Sequence, residues 1–260
     1  AYIIEPNWIQ TRKIHVTSEK FSKELEEVVV VQITDLHVEK FGFREKSLIR
    51  KVNRLNPDVI VMNGDFVNSR RGWPLALKVL EQLKAKQGIY TIIGNTDLYY
   101  GSEAEIIHKL NDIGVNVLNT DSVKLNFGKN KSFRLIGLSD KYGDFTRLGY
   151  KEWFNRAFVE VQNEEPNILL IHNPDHAEIE IFKEYDLDLI LAGDTHGGQF
   201  GIPFIRQFSS YANRTPYMAG MFTVNGVPLY VNRGIGMKTL NIRFLCRPEI
   251  TVIKLKKNDK

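Results

Sequence analysis

Residues 28–37, VVVVQITDLH, decide the fold. Four valines and an isoleucine in so short a run describe a strand buried on both faces; a strand with one wet face would alternate apolar with polar residues. The run then breaks into Thr34-Asp35-Leu36-His37, placing polar groups at the strand's carboxyl end. The pattern repeats downstream. Val59–Met62 runs into Asn63-Gly64-Asp65, and Ile89–Ile93 runs into Gly94-Asn95-Thr96-Asp97. Asp35, Asp65 and Asn95 follow one another at intervals of thirty residues, about the ~30-residue length of one βαβ unit. Apolar residues at helical spacing fill the intervals: Leu48, Ile49, Val52 and Leu55, then Ala76, Val79, Leu80 and Leu83. Ser102 followed by Glu105 predicts a capping box, with Ile106, Ile107, Leu110 and Ile113 behind it and Gly114 closing the helix. Strand and helix in this alternation predict an α/β fold.

The second half carries two more such strand ends. Ile168–Ile171 runs into His172-Asn173-Pro174-Asp175, and Leu189–Ala192 runs into Gly193-Asp194-Thr195-His196-Gly197-Gly198. Residues 133–138, 226–231 and 250–255 also read as strands, whereas Gly197–Gly220 is long, irregular and aromatic, as functional connections are. The chain has 260 residues, 43% hydrophobic and 25% charged, which excludes a disordered, collagen-like or polytopic membrane protein. That length supports one sizeable core, and one domain is expected over residues 1–260. The single cysteine, Cys246, excludes an internal disulfide framework and a thiolate metal cluster. A net charge of +4 is too slight to argue for nucleic acid, and no nucleic-acid partner is expected. No stretch approaches the ~20 apolar residues of a membrane-spanning helix, and no signal peptide is expected. The sequence specifies no oligomeric state.

The five strand ends bring seven donors: Asp35, His37, Asp65, Asn95, His172, Asp194 and His196. One Asp or His at a strand end is ordinarily a turn residue or helix cap. Five in order, holding three of the six histidines, are a metal-binding set. Oxygen and nitrogen donors without thiolate suit Mn, Fe, Zn or Mg. Seven donors with one carboxylate shared suit two divalent ions about 3.5–4 Å apart, the spacing of two-metal phosphoryl-transfer sites.

The ordered set resembles the calcineurin-like metallophosphoesterases, whose pattern is Asp-x-His, Gly-Asp, Gly-Asn-His-Asp/Glu, His and Gly-His-x-His. Finer stretches resemble a bacterial, often membrane-anchored branch that includes UDP-2,3-diacylglucosamine pyrophosphatases. These are His172-Asn173-Pro174-Asp175, Gly193-x-Thr195-His196-Gly197-Gly198-Gln199, Asn232-Arg233-Gly234-Ile235-Gly236 and Arg247-Pro248-Glu249-Ile250-Thr251. The resemblance implies a four-layer αββα sandwich of two mixed sheets flanked by helices. It implies that Asp35, His37 and His196 hold a first ion, that Asp65 bridges, and that Asn95 and His172 hold a second. It also implies a phosphorylated small-molecule or lipid substrate and peripheral contact at the cytoplasmic face of a bacterial inner membrane.

Two positions depart from the family's pattern. Thr96 stands where the family has the histidine that assists the leaving group, and Asp194 stands where it has a second-metal histidine. Asp194 can still coordinate, and the resulting oxygen-rich second site makes Mn the first choice of metal. Threonine is no general acid near neutral pH. A sugar alkoxide, with a water-like pKa of ~15.7, would leave unaided, whereas a phosphate, with a second pKa of ~6, needs little help. The expected substrate is therefore a pyrophosphate, best exemplified by UDP-2,3-diacylglucosamine cleaved to UMP and a lipid monosaccharide phosphate in lipid A biosynthesis. Asp65, Asn95, Thr96 and Asp97 are the expected catalytic set, Asp97 orienting Asn95 or a water, or else capping a helix. Arg70, Arg71 and Arg233 are the candidates for holding substrate phosphate. Phe200, Ile202, Pro203, Phe204, Ile205 and Phe208 are either core or an acyl-chain surface. Two rivals stay open: a general phosphodiesterase or phosphatase for soluble nucleotides or wall polymers, and a metal-poor scaffold that binds a protein.

Overall fold

The computed structural model describes residues 4–140, 150–200, 215–238 and 241–258. In chain order, the first sheet receives β1 (Gln10–Ser18), β2 (Val30–Ile33), β3 (Val59–Met62), β4 (Ile89–Thr91) and β5 (Val115–Val117). The second receives β6 (Asp121–Asn126), β7 (Ser132–Gly137), β8 (Asn167–Leu170), β9 (Leu189–Ala192), β10 (Gly220–Val224) and β11 (Val227–Val231). The last strand, β12 (Glu249–Lys257), returns to the first sheet between β1 and β2. Both sheets are mixed. The strands β2 to β5 run parallel, with β12 antiparallel to β2. In the second sheet β7, β8, β9 and β11 run parallel, with β6 and β10 antiparallel at the two edges. The helices are α1 (Phe43–Arg54), α2 (Trp73–Leu80), α3 (Asn95–Tyr100), α4 (Glu103–Asp112) and α5 (Tyr150–Phe158).

The layering follows from the two-residue period of a strand. In β3, Val59 and Val61 turn toward the second sheet, where they meet Leu135, Ile168 and Leu189. Their neighbours Ile60 and Met62 turn the other way, onto Leu48 and Val52 of α1 and Val79 and Leu80 of α2. The second sheet divides likewise: Leu189 and Leu191 face inward, while Ile190 packs on Phe154, Phe158 and Phe182. Strands apolar on both faces therefore build a four-layer αββα sandwich, as expected.

The elements fall close to their expected places, with instructive differences. Ser102 does cap α4, its hydroxyl accepting from the Glu105 amide. The helix expected around Ala76–Leu83 begins earlier, at Trp73, with Pro74 in its first turn, where a missing N–H costs nothing. β1 was not expected, because it shows only Ile14 and Val16 to the core on an otherwise exposed strand. It exists because it pairs along its full length with β12, its parallel partner at the far end of the chain. Of the aromatic run after the last motif, Phe200 is half-buried and bridges Phe244, while Ile202, Pro203, Phe204, Ile205 and Phe208 lie outside the described residues.

Candidate metal centre

The parallel runs of both sheets end at one edge, so Asp35, Asp65 and Asn95 from the first sheet meet His172, Asp194 and His196 from the second. Beneath them a buried amide stitches the sheets together. Asn63 Nδ2 donates to the carbonyls of Ile171 (2.9 Å) and Leu191 (2.8 Å), and Gln32 Nε2 donates to Asn63 Oδ1 at 2.8 Å and to the Ala192 carbonyl at 3.1 Å. Fully buried amides so paired hold the two strand ends in fixed relation.

The backbone here is strained. Asp35, His37, Asp65, Asp194 and His196 all adopt positive φ, between 40° and 64°. Left-handed backbone costs a non-glycine residue roughly 1–2 kcal/mol, and such residues concentrate at functional sites. The glycines beside them are demanded by close approach. A Cβ on Gly94 would lie 2.3 Å from Asp65 Oδ1, and one on Gly193 would lie 2.4 Å from Thr34 Oγ1 and 2.6 Å from Asp35 Oδ2.

Six of the seven expected donors converge without solvent. Asp35, His37 and His196 offer ligand atoms within 4.8 Å of one another, as do Asp35, Asp65 and His172. Asp65 Oδ2 lies between two imidazoles, 3.4 Å from His37 Nε2 and 3.5 Å from His172 Nε2. Asp194 Oδ1 is 3.5 Å from His172 Nε2, and the Asp194 amide donates to both oxygens of Asp35 at 3.2 and 3.1 Å. Asn95 is exposed at the mouth, its Oδ1 3.0 Å from the Thr96 hydroxyl oxygen and accepting from Lys238 Nζ at 3.3 Å.

These donors fit divalent cations better than they fit one another. His37 Nε2 and His196 Nε2 face each other at 3.1 Å. Burial holds His37 down to about 4 and His196 well below its ordinary value, so both rings are neutral and turn nitrogens toward each other. His172 Nδ1 donates to the Asn63 carbonyl at 2.6 Å, which aims Nε2 into the cluster. His172 Nε2 and Asp194 Oδ1 are buried without a hydrogen-bond partner, an expense that a cation between them would remove. Burial raises Asp35 to about 7, with Asp65 and Asp194 adding like-charge repulsion. His172 is raised well above its ordinary value despite burial, because Asp65 and Asp194 face it. Asp35 and His172 are thus poised to exchange protons for metal charge.

The residues expected to do chemistry divide. Thr96 lies in the centre: its amide donates to Asp65 Oδ1 at 2.9 Å and its hydroxyl to Asp65 Oδ2 at 2.6 Å. Asp97 takes the capping role that the sequence offered as the alternative to orienting Asn95 or a water. It is fully buried, with Oδ2 accepting from the amides of Asp65 (2.7 Å) and Gly94 (3.2 Å) and Oδ1 from Phe66 (2.7 Å). It caps α3 and also holds the loop that carries Asp65. Arg70 and Arg71 are exposed on the turn before α2, and no recorded contact joins them to the cluster among the described residues. Arg233 points away as well. Its Nε lies 3.8 Å from Glu249 Oε2, and it lines a cavity with Ile4, Glu5, Trp8, Gln10, Leu245 and Arg247.

Sequence reasoning missed three side chains. Lys238 reaches the mouth, as described above; its signal was a basic residue two places after the quoted Gly236. Arg243 is wholly buried, donating through Nη2 to the carbonyls of Arg233 (2.8 Å) and Gly236 (2.6 Å), 3.4 Å from His196 Nδ1. Asp140 follows β7 as a sixth strand-end carboxylate; it is buried, with Oδ1 unpartnered, and burial raises its pKa.

Comparison with known proteins agrees with this geometry. A family model described as calcineurin-like phosphoesterase matches residues 28–198. The chain is 29% identical to an uncharacterized metallophosphoesterase, YkuE, of Bacillus subtilis, over 98% of this chain and 88% of that protein. It is 28% identical to the UDP-2,3-diacylglucosamine pyrophosphatase LpxG of Chlamydia trachomatis, over 96% of this chain and 90% of that one. The fold superposes on a dimetal phosphatase from Danio rerio with a TM-score of 0.52 and 12% identity, covering 80% of this chain and 88% of the other.

Proposed function

Since the chain belongs to the calcineurin-like phosphoesterase family, a family of metal-dependent phosphohydrolases, we propose that it cleaves the pyrophosphate of a nucleotide-diphospho-lipid. Asp35, His37, Asp65 and His196 would hold one divalent ion, and Asp65, Asn95, His172 and Asp194 a second, with Mn²⁺ the best match to that oxygen-rich set. Bound there, the ions would supply Lewis acidity and a nucleophile at neutral pH. The chain's own groups do the rest: the Thr96 amide and hydroxyl fix both oxygens of Asp65, and Asp97 fixes that loop from behind.

The observation that carries the reading is Thr96. Its hydroxyl is committed to Asp65 at 2.6 Å, and a hydroxyl has no proton to lend at neutral pH. A leaving group that departs as a phosphate suits such a site; an alkoxide does not. A lipid substrate at a membrane surface is supported by a set of exposed apolar side chains. Ile4, Trp8, Phe43 and Leu245 are 72%, 57%, 67% and 66% exposed. Ile4, Trp8 and Phe43 line one hollow, and Leu245 joins Ile4 and Trp8 in the next. Arg247 stacks on the Trp8 ring at 3.8 Å, an aromatic and basic pairing suited to an anionic lipid interface. The 28% identity to LpxG is in keeping with UDP-2,3-diacylglucosamine as the substrate and the inner leaflet as its place.

The test compares turnover of UDP-2,3-diacylglucosamine with that of bis-(p-nitrophenyl) phosphate. Clear preference for the first is expected. Equal or better turnover of the small diester would refute the lipid assignment in favour of a general phosphodiesterase, and absence of turnover with both, with no metal bound, would favour a scaffold.

A further inference from the structure

Lys238 is the one ammonium recorded against the donor cluster among the described residues, and every atom it approaches is one offered to the second ion, Asp65 being shared with the first. Nζ is 3.3 Å from Asn95 Oδ1, 3.7 Å from Asp65 Oδ2 and 4.0 Å from Asp194 Oδ1. None of the atoms offered only to the first ion is among them. Its backbone is anchored on two sides. The Lys238 amide donates to Gln199 Oε1 at 2.7 Å, and the preceding carbonyl, of Met237, accepts from Asn68 Nδ2 at 3.0 Å. The side chain keeps 27% of its surface in solvent, so it has somewhere to go.

We propose that Lys238 contests the second metal position, so that the ammonium and the second divalent ion hold Asn95, Asp65 and Asp194 alternately. The inference rests on the two-ion reading above. Two cations cannot share the same oxygen lone pairs, and their mutual repulsion adds to the cost. Charge balance favours the ammonium at rest. Asp35, Asp65 and Asp194 bring three negative charges; with the His172 ring neutral, one divalent ion and one ammonium cancel them, which suits a buried cluster. A second divalent ion would leave the cluster two charges positive with Lys238 still beside it. The phosphate groups of a substrate supply the missing negative charge. The second ion therefore binds weakly to the free protein and is retained when an anionic substrate arrives. Lys238 sets how strongly the site depends on that arrival.

Metal-stripped protein titrated with Mn²⁺ by calorimetry, with bound ions counted by native mass spectrometry, tests this without any turnover measurement. Wild type and Lys238→Met should take the first ion with the same affinity. The second ion should bind about tenfold more tightly to Lys238→Met, the equivalent of one charge-assisted hydrogen bond lost by the competitor. Lys238→Arg, which keeps the cation, should stay as weak as wild type. The proposal is overturned if wild type and Lys238→Met bind the second ion equally, or if Lys238→Arg binds it as tightly as Lys238→Met. If no variant binds any ion, the two-ion reading itself fails, a result distinct from two ions bound with equal strength in every variant.

Discussion

Asp97 offers the sharpest test of how this site is held together. Its carboxylate accepts three backbone N–H groups, from Asp65 and Phe66 at 2.7 Å and from Gly94 at 3.2 Å, in a place with no solvent exposure. Asp97→Ala leaves all three donors without an acceptor. A buried donor so stranded costs ~1–3 kcal/mol, so the three together cost about 3–9 kcal/mol, a large part of the roughly 5–15 kcal/mol that holds an ordinary domain folded. Asp97→Asn keeps the volume and one acceptor oxygen but turns an NH₂ against at least one amide, at about 1–3 kcal/mol. That variant should fold, with a lower melting temperature. Because the amides belong to the loop bearing Asp65, it should also bind metal more weakly and lose turnover in proportion. The assays are thermal denaturation with and without Mn²⁺, metal titration, and kcat at saturating metal. An Asp97→Asn protein with unchanged melting temperature and metal affinity but little turnover would refute the positioning role and show that Asp97 acts on the substrate or the attacking water.

Other outcomes follow from the same geometry. Gly94→Ala places a methyl 2.3 Å from Asp65 Oδ1 and should weaken metal binding at least tenfold while the protein stays folded, measurable by metal titration beside circular dichroism. Metal uptake should release protons. Burial holds Asp35 at about 7 in the metal-free protein, and coordination needs the ionised form, so affinity should fall as pH drops through 7. Calorimetry in buffers of different ionisation enthalpy counts the protons, and uptake without release would contradict the poise of Asp35. Asp65→Ala removes the carboxylate that lies 3.4 Å and 3.5 Å from two imidazoles; turnover should vanish, and wild-type rates would sink the mechanism. Thr96→His should speed esters with alkoxide leaving groups more than pyrophosphates, read from kcat/KM on both, and a uniform effect would contradict the leaving-group argument.

Much of this protein was legible in its sequence because the signals are local. β-branched runs such as VVVV and VIVM can only be strands covered on both sides, and the two-residue period divides their side chains between a sheet and a helical layer. Asp35, Asp65, Asn95, His172, Asp194 and His196 could be picked out because parallel strands separated by crossovers must end at the same edge. What each polar group touches was decided by the tertiary structure alone. Arg233 sits beside the quoted Asn232 yet turns to Glu249, whereas Lys238 arrives at Asn95 from 143 residues away. Asp97 caps α3 through the Gly94 amide, as its position in the sequence suggests, but its other two partners lie on a loop 31 and 32 residues back. β1 has too few apolar residues to announce itself and exists by pairing with β12, 239 residues distant at Gln10 and Glu249. Periodicity and strand-end chemistry are properties of neighbours in the chain. Which carboxylate meets which cation depends on where separate loops come to rest once the two sheets have packed, and only the folded chain sets that.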